Sequence, residues 1–311
     1  MSNLGISMEP VMDAEASEAI RRRMVSIFVR HFDGEGSTET AVPGLSLHRR
    51  MSMAAPASFL YEPSLALIVR GEKRVILGHE TYHYDQAHFL LTALDLPTVV
   101  QVLNATQTDP YISIKQVIDL ELARELIAEV DQLRYSTTAN EPAWAVGHVT
   151  AQLLNAALRL LELVDRPQDI PILSRSIQRE IIYRALVSPV GARLRQVVEV
   201  GTQTNRVSAA VRWLRDHFQQ PFRVEQLAEI AGLGESTLHH HFRALTAMSP
   251  LQYQKHLRLH EARRLMITER LDAGSAALRV GYESATQFNR EYRRLFGVPP
   301  KTDIRAILAV A

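Results

Sequence analysis

Cysteine is absent from the chain, which removes disulfides and thiolate metal sites and makes a reducing compartment, the cytoplasm, the expected address. Apolar runs are short. None approaches the roughly eighteen residues that a membrane-spanning helix requires, and Met1 to Pro10 lacks the basic-then-apolar order of a secretory signal, so neither membrane insertion nor export is expected. Net charge is nearly missing too, at +1 over 311 residues. That balance hides an asymmetry: residues 205–311 hold 16 Lys+Arg against 10 Asp+Glu, while residues 1–204 hold 19 against 24. The polar stretch Gly201 to Asn205 separates the two. A basic C-terminal module on an acidic body points to a polyanion as the module's partner. Hydrophobic residues make up 46%, enough for two cores.

The C-terminal third repeats itself. Phe242 to Pro250 (FRALTAMSP) recurs fifty residues later as Tyr292 to Pro300 (YRRLFGVPP), and Leu238 is matched by Phe288. A short helix, a glycine and a turn precede each copy. Val224 to Ala231 is expected to form a helix ended by Gly232, with the next helix starting near Glu235. In the second copy Asp272 to Val280 precedes Gly281, with a helix from about Ser284, a residue suited to an N-cap. Glycine supplies the positive φ of the turn, and Ala228 and Ala277, each four residues earlier, leave room for the following helix to cross closely. A helical bundle whose glycines merely end helices is the alternative, and two units in register argue against it. Seven helices fit between residues 205 and 305.

Placing Leu238, Phe242 and Leu245 inward turns Ser236, His239, His240 and Arg243 to solvent, because successive helical residues are about 100° apart. The same construction on Phe288, Tyr292 and Leu295 exposes Thr286, Asn289, Arg290 and Arg293. Side chains of these types donate to base edges or phosphates, and neither set contains an acid. Arg290 is the leading candidate for guanine, a phosphate contact being its alternative. Arg243, Arg293, Arg294 and Arg258 are expected at phosphates; for Arg258, as for Arg263 and Arg264, a solvated helix face is an equal alternative. Pro250 to Thr268 reads as one helix opened by proline, a rod of about 27 Å that can hold two recognition helices near one DNA turn apart. His239, His240 and His241 cannot share a metal, since adjacent helical residues diverge, and His241 lies toward the core edge.

In these residues, from Val207 to Asp303, the sequence resembles the AraC/XylS family of transcription regulators. The most specific parts are Gly281, Tyr282, Glu283 and Ser284, then Gln287 and Phe288, then Phe296 to Pro300. The resemblance implies that Ser236, His239 and His240 in the first unit and Thr286, Gln287 and Arg290 in the second include the base-reading positions. Gln287 enters on the resemblance alone. Ser236 departs from relatives that carry a large side chain there. Earlier in the chain, Leu60 to Leu65, Gly71 to Lys73, Gly78, Tyr82, Tyr84, Asp85 and Leu90 to Pro97 resemble the AraC-type N-terminal domain, which implies a cupin-like β-barrel with an effector-sensing role.

Read by itself, the N-terminal part shows short apolar runs about ten residues apart between Leu45 and Ile118: Leu65 to Val69, Val75 to Leu77, Phe89 to Leu91, Val99 to Leu103 and Tyr111 to Ile114. Such spacing fits an antiparallel sandwich or barrel. Asp119 to Arg134 and Pro142 to Val164 read as amphipathic helices, the second with an apolar stripe from Val149 to Val164 that could meet a partner helix in a dimer or the barrel of its own chain. His79, His83 and His88 mix strand parity, so no metal site is expected from them, with or without Glu80 or Asp85. Tyr61, Lys73, Tyr82 and Tyr84 are candidates for a ligand cavity, although sequence does not separate inside from outside.

The expectation is therefore an α+β multidomain protein. Residues 1–200 form an effector-sensing and dimerisation domain, with a cupin-like barrel at about 45–118 and helices at about 119–200; residues 205–305 form an all-α DNA-binding domain with two helix-turn-helix units. Double-stranded DNA, a small-molecule effector, a second copy of the chain and RNA polymerase are the candidate partners, and no cofactor is expected. The competing readings are a metal-dependent cupin oxygenase or isomerase with a helical appendage, and an architectural DNA binder without sequence preference.

Overall fold

A computed structural model describes residues 14–53, 56–77, 80–130 and 142–310. Helix α1 (Ala14–His31) leads into strands β1 (Gly36–Glu39), β2 (Leu45–Arg50), β3 (Ala57–Tyr61), β4 (Ser64–Arg70), β5 (Lys73–Leu77), β6 (Glu80–Tyr84), β7 (His88–Thr92), β8 (Leu96–Val102) and β9 (Tyr111–Val117). Helix α2 (Leu120–Val130), strand β10 (Trp144–His148) and helices α3 (Ala151–Glu162), α4 (Ile170–Val187) and α5 (Ala192–Val198) follow. The strands make two antiparallel sheets, β1-β2-β9-β4-β7-β10 and β3-β8-β5-β6.

Strand parity explains why this part reads as nearly continuous apolar text. In the larger sheet Leu45, Leu47, Leu65, Leu67, Ile112 and Ile114 share one parity and are all buried. Helix α1 packs on β4 and α3, with Met24, Ile27 and Phe28 buried. The other parity faces inward and carries smaller or polar residues such as His48, Ser64, Ala66 and Ser113. A sheet covered on both faces loses the clean alternation of a half-solvated one.

Two expectations change here. The helix expected over 142–164 is a strand and then a helix. β10 pairs with β7 along its whole length, and a Cβ on Gly147 would lie 2.5 Å from the Phe89 ring, so tertiary pairing overrides the helical pattern. Thr150 then caps α3 by accepting from the Leu153 N–H. The apolar stripe of α3 takes the intrachain alternative: Leu153, Leu154, Ala157, Leu158 and Leu161 are buried beside α1 and α4. The sheets also begin before residue 45, because β1, whose sequence is Gly-Ser-Thr-Glu, pairs with β2 without any apolar side chain to announce it.

The C-terminal part has seven helices among the described residues: α6 (Gln203–Asp216), α7 (Val224–Ala231), α8 (Glu235–Thr246), α9 (Pro250–Thr268), α10 (Ala273–Arg279), α11 (Ala285–Phe296) and α12 (Pro300–Val310). Local chemistry sets their ends. Ser249 and Gln252 make a capping box ahead of Pro250, Asp272 caps α10, and Ser284 caps α11. Gly297 ends α11 in the left-handed region, while Ala247 does so fifty residues earlier for α8 without the freedom of glycine.

Buried apolar side chains form two clusters. The larger runs without interruption from the sheets through α6, α7 and α8 to Leu257. The smaller belongs to the second helix-turn-helix unit, around Leu265, Val280, Phe288 and Tyr292. The first unit therefore shares its interior with the sheets. Tyr253 of α9, fully buried, donates its hydroxyl to the Asp95 carbonyl at 2.7 Å, and Arg215 of α6 pairs with the Asp95 carboxylate at 3.1 Å.

Gly281 sits at φ 90°, and a Cβ there would lie 2.2 Å from the Gln219 carbonyl oxygen. Gly232, at φ 61°, faces open space. Gly281→Ala is thus expected to cost about 3 kcal/mol or more through combined strain and overlap, against about 1 kcal/mol for Gly232→Ala. Urea unfolding of the two variants checks the ranking, and equal losses would refute it.

Candidate nucleic-acid interface and inner cavity

Helices α8 and α11 each bury one stripe and expose the other. Leu238, Phe242 and Leu245 are inside on α8, and Phe288 and Tyr292 on α11, with Leu295 half-buried. Ser236, His239, His240 and Arg243 are exposed on the first helix; Thr286, Asn289, Arg290, Arg293 and Arg294 are exposed on the second. Gln287 is half-buried at the flank, its amide donating to Glu291 at 3.2 Å. Glu291, the acid of α11, turns toward α9 and accepts from Lys255 and from the Tyr282 hydroxyl, both at 2.8 Å. Burial alone would raise its carboxyl, but Lys255, Tyr282 and Gln287 outweigh that and hold it below the usual range. Glu291 thus stays ionised without facing outward. His241 is half-buried with its ring against His240, and burial pushes it down.

The cations of α9 serve the fold. Arg258, expected at a phosphate, instead donates from Nε to the Phe218 carbonyl at 2.7 Å and from Nη1 to Gly281 at 2.9 Å. Its Nη2 reaches Gln219 at 3.1 Å and Gln220 at 3.3 Å. Four carbonyls from both units leave it little to offer DNA. Arg263 makes a two-pronged bond to Asp303 at 2.8 and 2.9 Å and lies over the Phe296 ring. Arg264 pairs with Glu261 on the surface.

Between the two sheets lies a cavity of about 210 Å³. Of the four residues that sequence offered for it, Tyr61 and Lys73 line it, whereas Tyr84 is buried elsewhere in the core and Tyr82 bonds to Glu80. Sequence reasoning missed His48, Arg50 and Lys115, which reach the cavity from β2 and β9 at alternate positions. Parity along those strands was the available signal, and it lacked an anchor for which face was inner. Among the described residues no three His, Cys, Asp or Glu side chains group as metal ligands. His88 pairs with Asp85 at 2.8 Å, and His79 and Gly78 lie outside the described residues.

Strand β3 links the cavity to the helices. Ala57, Phe59 and Tyr61 line the cavity, while Ser58 is buried and its hydroxyl lies 3.1 Å from His260 Nε2 on α9. The His260 ring meets Phe296 of α11 edge-on, and β3 packs on both helices.

A two-sheet, cavity-bearing N-terminal part joined to paired helix-turn-helix units defines the class: tandem helix-turn-helix proteins with a sheet-built N-terminal domain. Residues 41–193 match the family of AraC-type transcriptional regulator N-termini, and residues 227–306 match a helix-turn-helix domain family. The chain belongs to the AraC-type transcriptional regulators. It is 30% identical over 159 residues to the HTH-type transcriptional activator RhaS of Escherichia fergusonii, a match covering 51% of this chain and 55% of that one. With RhaS of Escherichia coli it is 28% identical over 163 residues, covering 52% and 56%. The chain spans about half the length of the curated relatives it matches. In fold it is similar to ToxT from Vibrio cholerae, with a TM-score of 0.58 at 9% identity over 87% of this chain and 98% of that one. A ToxT structure bound to (E)-4-(8-methylnaphthalen-1-yl)but-3-enoic acid gives 0.59 at 10% identity, covering 89% and 100%. No helix among the described residues is long and apolar enough to cross a membrane.

Two predictions follow from this geometry. Arg290→Ala is expected to relax discrimination at a single base pair by about 1–3 kcal/mol, measured as affinity across a set of operator variants. Equal weakening on every variant would assign Arg290 to a phosphate instead. The second concerns acid. Burial, followed by the charges of His256 and Arg263, pushes His260 down to about 3, and burial with Arg294 pushes His256 down to about 4. Unfolded histidine titrates near pH 6.5, so below that pH the unfolded chain binds protons that the native chain refuses, and stability falls as pH falls. Urea midpoints from pH 7.5 down to 5 are expected to drop, less steeply for His260→Gln, and parallel slopes would remove His260 from the account.

Proposed function

We propose that the protein is a sequence-specific DNA-binding transcription regulator that senses a small molecule in the N-terminal cavity and reads two successive major grooves with α8 and α11. The carrying observation is one exposed face repeated in both units: polar and cationic side chains at matching positions around matching cores, with Glu235 confined to the first turn of α8 and Glu291 of α11 turned toward α9. Ser236, His239, His240, Thr286, Gln287, Asn289 and Arg290 are the base-reading set. Arg243, Arg293 and Arg294 stand beside them for phosphates, with Arg258 holding the two units in place. The division of labour runs from a sensing and dimerising part up to about residue 200 to a DNA-binding part over 205–305.

A ligand alters DNA binding only if it favours one arrangement of the helices over another. β3 supports such coupling, because Ala57, Phe59, Leu60 and Tyr61 line the cavity while Ser58 among them reaches His260. A ToxT structure that holds a carboxylic acid supports a ligand-binding part, and the RhaS transcriptional activators support a regulator of transcription. A second copy of the chain through the N-terminal helices, where Ile172 and Leu173 of α4 are exposed, and RNA polymerase are the further partners of this reading. It includes no catalysis, and its setting is the cytoplasm.

Hydroxyl-radical footprinting of the full chain on DNA flanking its own gene tests the proposal. Two protected windows roughly 34 Å apart on one face of the duplex are expected, with a preference of about a thousandfold over random competitor. One window, or displacement by random DNA as readily as by the specific site, would overturn it. The full chain is needed because the first unit shares its core with the sheets.

A further inference from the structure

The charge inside the cavity narrows what it can hold. Arg50, Lys73 and Lys115 enter from β2, β5 and β9, so cations come from both sheets, and among the described residues no acidic side chain lines the space. Lys115 is satisfied, pairing with Glu62 at 2.7 Å. Lys73 is not: its ammonium donates to the Tyr61 hydroxyl at 2.7 Å and lies over the Tyr61 and Tyr111 rings, and among the described residues it has no carboxylate partner. Arg50 likewise has none. A half-buried cation without a counterion carries part of the cost of a buried charge, and that cost is relieved when an anion enters beside it. The neighbouring histidine reports the same potential. Burial, then Lys73, Lys115 and Arg50, push His48 down to about 3, and its two ring nitrogens are held by Ser37 at 2.7 Å and Ser46 at 3.0 Å.

The rest of the lining is apolar or aromatic, with Val100, Val102, Phe59 and Tyr111 around the cations. At about 210 Å³ the space falls below the roughly 300–1,000 Å³ of sites that take drug-sized ligands. It suits one ring or a short chain.

We propose that the cavity binds a small organic carboxylate, a single ring or short acyl chain, with its charged end at Lys73 and Arg50 and its body against Val100, Val102 and Phe59. The proposal rests on the sensing role given above and adds the chemical class of the ligand. A neutral molecule of the same shape leaves Lys73 without a counterion, and an amine is repelled.

Thermal unfolding of the full-length protein with benzoate, phenylacetate, hexanoate and octanoate, each beside its amide, tests this. At least one carboxylate is expected to raise Tm with concentration, its amide is not, and palmitate is expected to do no better than octanoate. Lys73→Gln is expected to weaken the carboxylate about tenfold or more, and Lys73→Arg to retain most of the affinity. Should Lys73→Gln unfold, Arg50→Gln serves in its place, since among the described residues the Arg50 side chain makes no ion pair that the fold would lose. The proposal is overturned if no carboxylate raises Tm, if the amides match the acids, or if the neutral variants bind as tightly as the native protein. Repeating the ligands in a DNA titration separates the two readings. A carboxylate that binds without changing DNA affinity upholds the ligand class and sinks the sensing role; an amide that binds and changes DNA affinity does the reverse.

Discussion

The relative setting of the two helix-turn-helix units depends on one guanidinium. Arg258 projects from α9 into the gap between the units and gives its donors to carbonyls of Phe218, Gln219 and Gln220 on one side and Gly281 on the other. Those oxygens lie at the end of α6 and at the turn of the second unit, where no regular hydrogen-bond ladder would satisfy them. Gly281 makes the arrangement possible by having no side chain, so that the Gln219 carbonyl can approach the turn closely. Lysine could not substitute, because a point charge with three donors does not span four acceptors in a plane.

Around this clamp, α9 has little free surface. Its first half carries Tyr253, which is tied to Asp95 between β7 and β8, and its second half carries Leu265 and Met266 of the second core. Three buried or half-buried contacts, at Asp95, Ser58 and the Leu245 carbonyl that accepts from Ala143, tie the sheets to the helices. Two of them involve groups whose charge depends on pH, Asp95 and His260. Burial raises the Asp95 carboxyl against the pull of Arg215, and burial depresses His260. The junction therefore adds polar, titratable contacts to the apolar interior that the sheets share with the first unit.

The C-terminal helices were legible almost residue by residue because their boundaries are written locally. Gly232, Ser249-Pro250, Asp272 and Ser284 terminate or cap helices through their own backbone and side-chain chemistry, whatever surrounds them. The exposed faces of α8 and α11 followed from helical geometry alone. The N-terminal part was legible only where apolar runs mark inner strands. β1 lacks any apolar residue, and β10 is a strand because β7 lies beside it, a fact no short window of sequence contains. The cavity stayed hidden for a related reason: in a sheet buried on both faces, His48 and Leu47 differ only in which side they point to. The bonds of Arg258 could not be foreseen because its carbonyl partners lie about forty and twenty residues away along the chain.

The two clusters of the interior answer differently to change. The first helix-turn-helix unit is built from the same packed interior as the sheets, one that also contains the cavity walls Val100 and Val102. The other keeps an interior of its own, closed around Phe288 and Tyr292 and fastened by Tyr292 and Arg263 to Asp303. Substitutions inside the second unit are therefore absorbed locally, whereas those inside the first reach the sheets, so the two ends of the α9 rod differ in how much change they tolerate.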